Sequence, residues 1–182
     1  MKDFLITSDG KKFKNNRYTK HYAKKLKEAQ QHLSRKQKGS DGFEKQRLKV
    51  AKIHEKIANS RLDILHKVSY QPVKETQVIA IEDLNVKGMV KNRKLFKHIA
   101  DASRGNFVNL LQYNCDRYGR ELVRVDRFYP SSPTCNVYGW IHQDLHLSDR
   151  EWTCKNGDHL NRDENAGKNI LNEGLKIHRP GR

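Results

Sequence analysis

The stretch from residue 131 to residue 169, SSPTCNVYGW through SDREWTCKNGDHLNRDENAGKN, limits the fold most tightly. Its outline is two tight turns, each opening on a cysteine, followed by an acidic residue at the start of a helix. A zinc ribbon needs four thiolate or imidazole ligands in a tetrahedron, arranged as two pairs on adjacent turns. Here Cys135 opens the first turn, but Tyr138 occupies the place of its partner. Cys154 opens the second, and Cys154-Lys155-Asn156 runs straight into Gly157. Neither tyrosine nor glycine replaces a thiolate. His142, His146 and His159 could complete a site, although none sits at the usual turn position. The stretch therefore reads as a degenerate zinc site on Cys135 and Cys154, or as a metal-free loop in which Trp152 and the SDREW turn pack locally.

The surrounding chain has little apolar material for a core. Only 35% of its 182 residues are hydrophobic, and the net charge is +16. Such a balance points to a polyanion, most simply nucleic acid, because phosphates bind Lys and Arg and release counterions. The charge is uneven: residues 1 to 77 hold 20 Lys and Arg against 8 Asp and Glu, and the remainder hold 17 against 13. The basic surface therefore lies mainly in the N-terminal half. Three cysteines do not make a disulfide framework, and their setting suits a reduced, cytoplasmic protein. No apolar run approaches the ~20 residues that span a bilayer, and MKDFLITSDG lacks the apolar core of a signal peptide. No membrane partner is expected.

Read in order, the chain opens on a hairpin: DFLIT as a strand, Asp9-Gly10 as the turn, and Lys12-Phe13 returning. From Tyr18 to about Lys38, Tyr18, Tyr22, Leu26, Ala29 and Leu33 recur at helical spacing. Lys20, Lys24, Lys27 and Arg35 lie on the other face. Gly39-Ser40-Asp41-Gly42 breaks the helix. A second helix runs to about Ser69, with Leu48, Ala51, Ala58, Leu62 and Leu65 as its stripe, and Pro72 ends it. The two form an antiparallel hairpin whose basic face suits a phosphate backbone, or is simply solvated.

Val78 to Ile81 is a continuous apolar run, as expected of a strand buried on both faces. It ends at Glu82, where α/β folds commonly place chemistry. Residues 86 to 101 are basic and form a loop, whose Lys91, Arg93 and Lys94 are further candidates for nucleic-acid contact. Residues 103 to 118 form a helix with Phe107, Leu110, Leu111 and Asn114 inward and Cys115 as a packed thiol. Gly119 caps it, and ELVRVD is a further strand. After the ribbon, Asp163 begins a helix that turns Ala166, Ile170 and Leu171 inward and stops near Gly174. Glu82 and Asp163 are the candidate metal-binding acids. Two-metal phosphodiester hydrolysis needs several converging carboxylates around Mg²⁺ or Mn²⁺, and two make a thin site. Asp163 equally fits the role of an acid opposing a helix dipole.

Together VIAIEDLNVKGM, ELVRVDRFYPSSPTC, LSDREWTC and RDENAGKNILNEGL resemble the TnpB/OrfB family of insertion-sequence transposon proteins, relatives of type V CRISPR effectors. The motifs occur in the family's order from residue 1 to about 175. The resemblance implies a RuvC-like nuclease of RNase H fold, interrupted by a zinc ribbon, that cuts DNA guided by a transposon-end RNA. It also implies that Glu82 is the family's second catalytic acid, Asp163 its third, and Mg²⁺ or Mn²⁺ the cofactor. Four departures stand against this. The family's first catalytic aspartate lies on a strand just before the opening hairpin, so the chain begins one strand late. The family's N-terminal nucleic-acid-binding domain is absent. Two of four zinc cysteines are missing. The phrase H-D-R-D has become Leu160-Asn161-Arg162-Asp163.

The expected fold class is therefore α/β: an RNase H-like (RuvC-like) sheet lacking its first strand, with a long basic helical hairpin insertion and a degenerate zinc-ribbon insertion. Residues 1–127 and 159–176 form the RuvC-like domain, with the hairpin at about 18–69. Residues 128–158 form the ribbon, and 177–182 a disordered basic tail. Without its central strand, such a sheet leaves ladder groups facing one another across a gap. The expected function is that of a transposon-encoded DNA-binding protein of a DNA endonuclease family, a truncated copy with impaired or no nuclease activity. Its expected partners are DNA and guide RNA. The competing readings are a non-catalytic RNA- or DNA-binding accessory protein and a non-functional fragment. Nothing in the sequence sets an oligomeric state.

Overall fold

A computed structural model describes residues 3–83, 104–146 and 148–178. The candidate contacts Lys91, Arg93 and Lys94, with the whole of their 86–101 loop, lie outside the described residues, as does the tail from 179 to 182. The elements in order are β1 (Asp3–Ile6), β2 (Lys12–Lys14), α1 (Tyr18–Ser34), α2 (Asp41–Glu75), β3 (Val78–Glu82), α3 (Arg104–Tyr118), β4 (Glu121–Val125), β5 (Glu151–Thr153), β6 (His159–Asn161) and α4 (Arg162–Ile177). The architecture is mixed α/β, as expected. No helix among the described residues is long and apolar enough to cross a membrane.

The described strands pair two by two. β1 and β2 form the opening hairpin, with Gly10 at φ +82 as the turn's left-handed residue. β3 and β4 are parallel in register, from Val78 opposite Glu121 to Glu82 opposite Val125. A parallel pair needs a crossover, and α3 lies on it. The β1–β2 and β3–β4 sheets share no ladder. They meet through side chains instead. Leu65, Val68 and Val73 of α2, Ile79 of β3 and Phe107, Leu111 and Cys115 of α3 form one core, against which Phe4, Leu5 and Phe13 of the hairpin pack. The Phe4 and Phe107 rings meet edge to face at 5.2 Å, a favoured aromatic geometry. Cys115 is fully buried there, a packed thiol as expected.

Several boundaries depart from the sequence reading. The first helix ends at Ser34 rather than Lys38. Pro72 does not end α2, which runs to Glu75. Proline removes only its own N–H; its carbonyl still accepts from the Thr76 amide at 3.0 Å and the Thr76 hydroxyl at 2.9 Å. The stripe expected on α2 is largely wrong. Leu48 and Leu62 are exposed, and only Leu65 is buried. Ile53 and Ile57 face α1, forming a second small core with Ala29, Tyr18, Tyr22 and Leu26. The buried face thus shifts along α2 from one core to the next.

The third helix follows expectation and closes at Gly119 (φ +61), where the Arg120 amide donates to the Cys115 carbonyl at 2.8 Å, a Schellman closure. The last helix continues past Gly174 to Ile177. Its buried residues are Asn165, Asn169 and Gly174, while Ala166, Ile170 and Leu171 are half-buried. Its strand neighbour also moves a boundary: β6 pairs with β5, so His159–Asn161 belongs to the ribbon hairpin. A third core of Cys135, Trp152 and Cys154 holds that ribbon together.

Candidate acidic site, ribbon and nucleic-acid interface

Glu82 closes β3, half-buried at its C-terminal end. Burial raises its carboxyl pKa, and the Arg104 guanidinium at the start of α3 opposes that rise. Asp163 is the second residue of α4, after the N-cap Asn161, whose side chain accepts from the Glu164 amide at 3.2 Å. Its carboxylate pairs with Arg150 of the ribbon at 3.5 Å, and Lys12 pairs with Glu164 at 2.8 Å. Helix α4 runs antiparallel to β3 and β4, because Gly174 meets Ala80 and His178 pairs with Glu121 at 2.8 Å. Glu82 and Asp163 therefore occupy the same end of the β3–β4 layer.

Their offsets from the Gly174–Ala80 contact differ. Asp163 precedes Gly174 by eleven residues, about 16 Å of helix. Glu82 lies two residues beyond Ala80, only about 7 Å of strand. Each acid has an arginine neighbour, Arg104 for Glu82 and Arg150 for Asp163. Among the described residues, no group of three His, Cys, Asp or Glu side chains could hold a metal ion. A Mg²⁺ or Mn²⁺ pair would need carboxylates beyond Glu82 and Asp163.

The ribbon keeps both turns. The Gly139 amide donates to the Cys135 carbonyl at 2.8 Å, and the Gly157 amide to the Cys154 carbonyl at 2.8 Å. Both glycines take left-handed backbone, at φ +72 and φ +94. The Cys135 sulfur receives the Tyr138 and Val137 amides, the Cys154 sulfur receives the Asn156 and Lys155 amides, and the two thiols hydrogen-bond to each other. Burial pushes the Cys135 thiol up, but the Tyr138 amide, Cys154 and the Val137 amide outweigh it and leave it below its usual value. The Asn156 amide favours the Cys154 thiolate, yet burial and the neighbouring Cys135 hold that thiol above its usual value.

The histidines do not complete a tetrahedron. His142 is half-buried edge-on to Trp152, with ring centroids 5.6 Å apart. His159 is exposed beside Glu151 at 3.4 Å, and His146 is exposed. Tyr138 is exposed too. With two thiols and no third donor, the described residues do not fit zinc.

Two functional side chains escape a reading of the sequence. Asn165 accepts from the Asn136 amide at 2.9 Å and donates to the Ser132 and Thr134 carbonyls at 3.3 and 2.7 Å. Asn169 donates to the Ser131 and Thr134 carbonyls at 2.8 and 2.6 Å. One turn apart on α4, they clamp the first ribbon turn to the helix that carries Asp163. Asparagine is a poor helix former, so two at i and i+4 on one face are a signal that the side chains bond elsewhere.

Lys20, Lys24, Lys27 and Arg35 are all exposed. At 100° per residue the three lysines lie roughly opposite Tyr18, Tyr22, Leu26 and Ala29, which pack on α2. The hairpin therefore has one packed face and one cationic face.

Known proteins match along the whole arrangement. The profile of the OrfB_IS605 family, described as "Probable transposase", matches residues 1–93, and that of the "Cas12f1-like, TNB domain" matches residues 105–170. A protein of Streptomyces pristinaespiralis named "Putative RNA-guided DNA endonuclease" is 44% identical over 172 residues, covering 94% of this chain and 43% of the relative. InsQ of Escherichia coli K12, given the same description, is 32% identical over 186 residues, covering 93% of this chain and 46% of the relative. The chain spans less than half the length of either. A Cas12f1–sgRNA–target DNA complex contains a chain of the same fold at 16% identity, with a TM-score of 0.61 over 89% of this chain and 43% of that one. The chain belongs to the OrfB_IS605 family of probable transposases.

Proposed function

We propose that this chain is a nucleic-acid-binding part of a TnpB-like RNA-guided DNA endonuclease, and that it does not cut DNA with its own acids alone. The observation that carries the first half is the one-sided cationic face of the α1–α2 hairpin. Its lysines stand away from both packed cores, spaced to follow a phosphate backbone. DNA and a guide RNA are the partners that the relatives' names suggest. Lys91, Arg93 and Lys94 remain further candidates for nucleic-acid contact in this reading. The β3–β4 pair, α3 and α4 are read as the remnant of an RNase H-like (RuvC-like) sheet, with Glu82 and Asp163 in the places of its metal-binding acids.

The second half rests on their placement. Glu82 and Asp163 share one end of the layer, each has an arginine neighbour, and no third acid joins them among the described residues. A divalent pair, Mg²⁺ or Mn²⁺, would need further carboxylates beside them.

Fluorescence anisotropy of labelled duplex DNA and RNA, measured across a salt series, tests the interface. Affinity should fall steeply with salt, and changing Lys20, Lys24 and Lys27 together to Ala should reduce the log–log slope by roughly 2–3. An unchanged slope would remove the hairpin from the interface. Supercoiled-plasmid nicking with Mg²⁺ or Mn²⁺ tests the rest. Cleavage that disappears in Glu82→Gln would overturn the claim that these acids do not suffice.

A further inference from the structure

The ribbon retains the shape of a metal module without the donors to fill it. Its two turns are alike: each opens on a cysteine, closes with a left-handed glycine, and directs two backbone amides at the sulfur. The two cysteines pack in one small core with Trp152, flanked by Leu145 and Leu160. Cys135 is 1% exposed and Cys154 4%. Their thiols are in hydrogen-bond contact, and no third donor joins them among the described residues. A tetrahedral ion would leave half of its positions without protein ligands.

We propose that Cys135 and Cys154 are a reversible disulfide pair, and that this bond joins the two ribbon turns where a ribbon with four ligands would use a metal. Both cysteines are already buried in that one small core, so the bond would join turns that pack together. The residues that follow each cysteine are exposed: Val137, Tyr138 and Gly139 on one turn, Lys155, Asn156 and Gly157 on the other. Opening of either turn admits a small oxidant. Cys115, fully buried in the separate core of α2, β3 and α3, is not a partner.

The reaction is thiol–disulfide exchange with a low-molecular-weight disulfide. One cysteine attacks it, forming a mixed disulfide and releasing one small thiol. The second cysteine then displaces the other small thiol and closes the Cys135–Cys154 bond. The two cysteines lose two protons and two electrons; the small disulfide is reduced to two thiols. A dithiol reductant reverses the change.

The test uses the full chain, reduced, freed of metal and exposed to glutathione disulfide. Remaining thiols are alkylated in denaturant and the peptides mapped by mass spectrometry. The chain's thiols, all free at the outset, should fall from three to one. The linked peptides should contain Cys135 and Cys154, with Cys115 alkylated. Cys115→Ser should keep the link, and Cys135→Ser or Cys154→Ser should lose it. The wild-type map is decisive even where a variant fails to fold. Links to Cys115, or separate glutathione adducts on Cys135 and Cys154, would overturn the proposal. So would the reduced chain binding one Zn²⁺ per molecule and resisting oxidation while it is bound.

Discussion

A Cβ placed on Gly174 would lie 2.4 Å from the Cβ of Ala80, so α4 crosses β3 at a distance that only glycine permits. The helix hydrogen bonds continue through this residue, and the His178 amide donates to the Gly174 carbonyl at 2.8 Å. Gly174→Ala gains about 1 kcal/mol of helix propensity but must push apart a helix and a strand. A net loss of about 1–3 kcal/mol is expected in urea unfolding. Adding Ala80→Gly should restore most of it, less the ~0.5–1 kcal/mol that glycine costs within a strand. Additive losses in that double-mutant cycle would mean the two residues do not touch.

The Asn165 clamp gives a second prediction. Its amide serves one donor and two acceptors on the ribbon backbone, all within 3.3 Å. Asn165→Ala removes the partner of the Asn136 amide and the Ser132 carbonyl in a nearly closed site, while Thr134 keeps Asn169, and should cost about 1–3 kcal/mol. Asn165→Asp should be at least as damaging, since it turns a carboxylate oxygen toward two carbonyls. Limited proteolysis should cleave the ribbon of either variant before α1 or α2. Uniform cleavage along the chain would show that the clamp holds more than the ribbon.

The elements legible in the sequence are those fixed by local chemistry. Asp9-Gly10 marks its hairpin, Gly119 its helix end, and the Tyr18–Tyr22–Leu26–Ala29 spacing its packed face, because each depends on neighbours a few residues away. The stripe on α2 failed because Ala51 and Ala58 suit any environment and the helix serves two cores in turn. Gly174 resembled a helix stop because its constraint, Ala80, lies across the fold. The clamp asparagines were missed for the same reason: their partners are backbone groups some thirty residues distant. In the ribbon, the sequence identified which ligands were lost but not that the remaining cysteines share one small core.

Ser69 and Asn114 form a buried polar pair between α2 and α3. The Asn114 amide donates to the Ser69 hydroxyl at 3.0 Å, and that hydroxyl donates to the His66 carbonyl at 3.2 Å. Ser69 is fully buried. Ser69→Ala orphans the asparagine and should cost about 1–3 kcal/mol. Combining it with Asn114→Leu removes both polar partners and should recover much of that loss in thermal unfolding. A double variant as weak as the sum of the singles would place the cost in packing instead.

Glu82 should leave a mark on the pH dependence of stability. Burial raises its folded pKa above the ordinary glutamate value despite Arg104. The folded chain therefore holds this proton more tightly than the unfolded chain. Between the ordinary value and the raised one the folded state binds more protons, so stability falls as pH rises through that window and levels off above it. Glu82→Gln imitates the protonated side chain at every pH. The variant should match the wild type in acid, below the ordinary glutamate range, and exceed it at pH 7. Denaturant midpoints measured at both pH values check the sign. A variant less stable than the wild type at pH 7 would mean that the Arg104 attraction outweighs burial, and that the ionised Glu82 helps to hold α3 against β3.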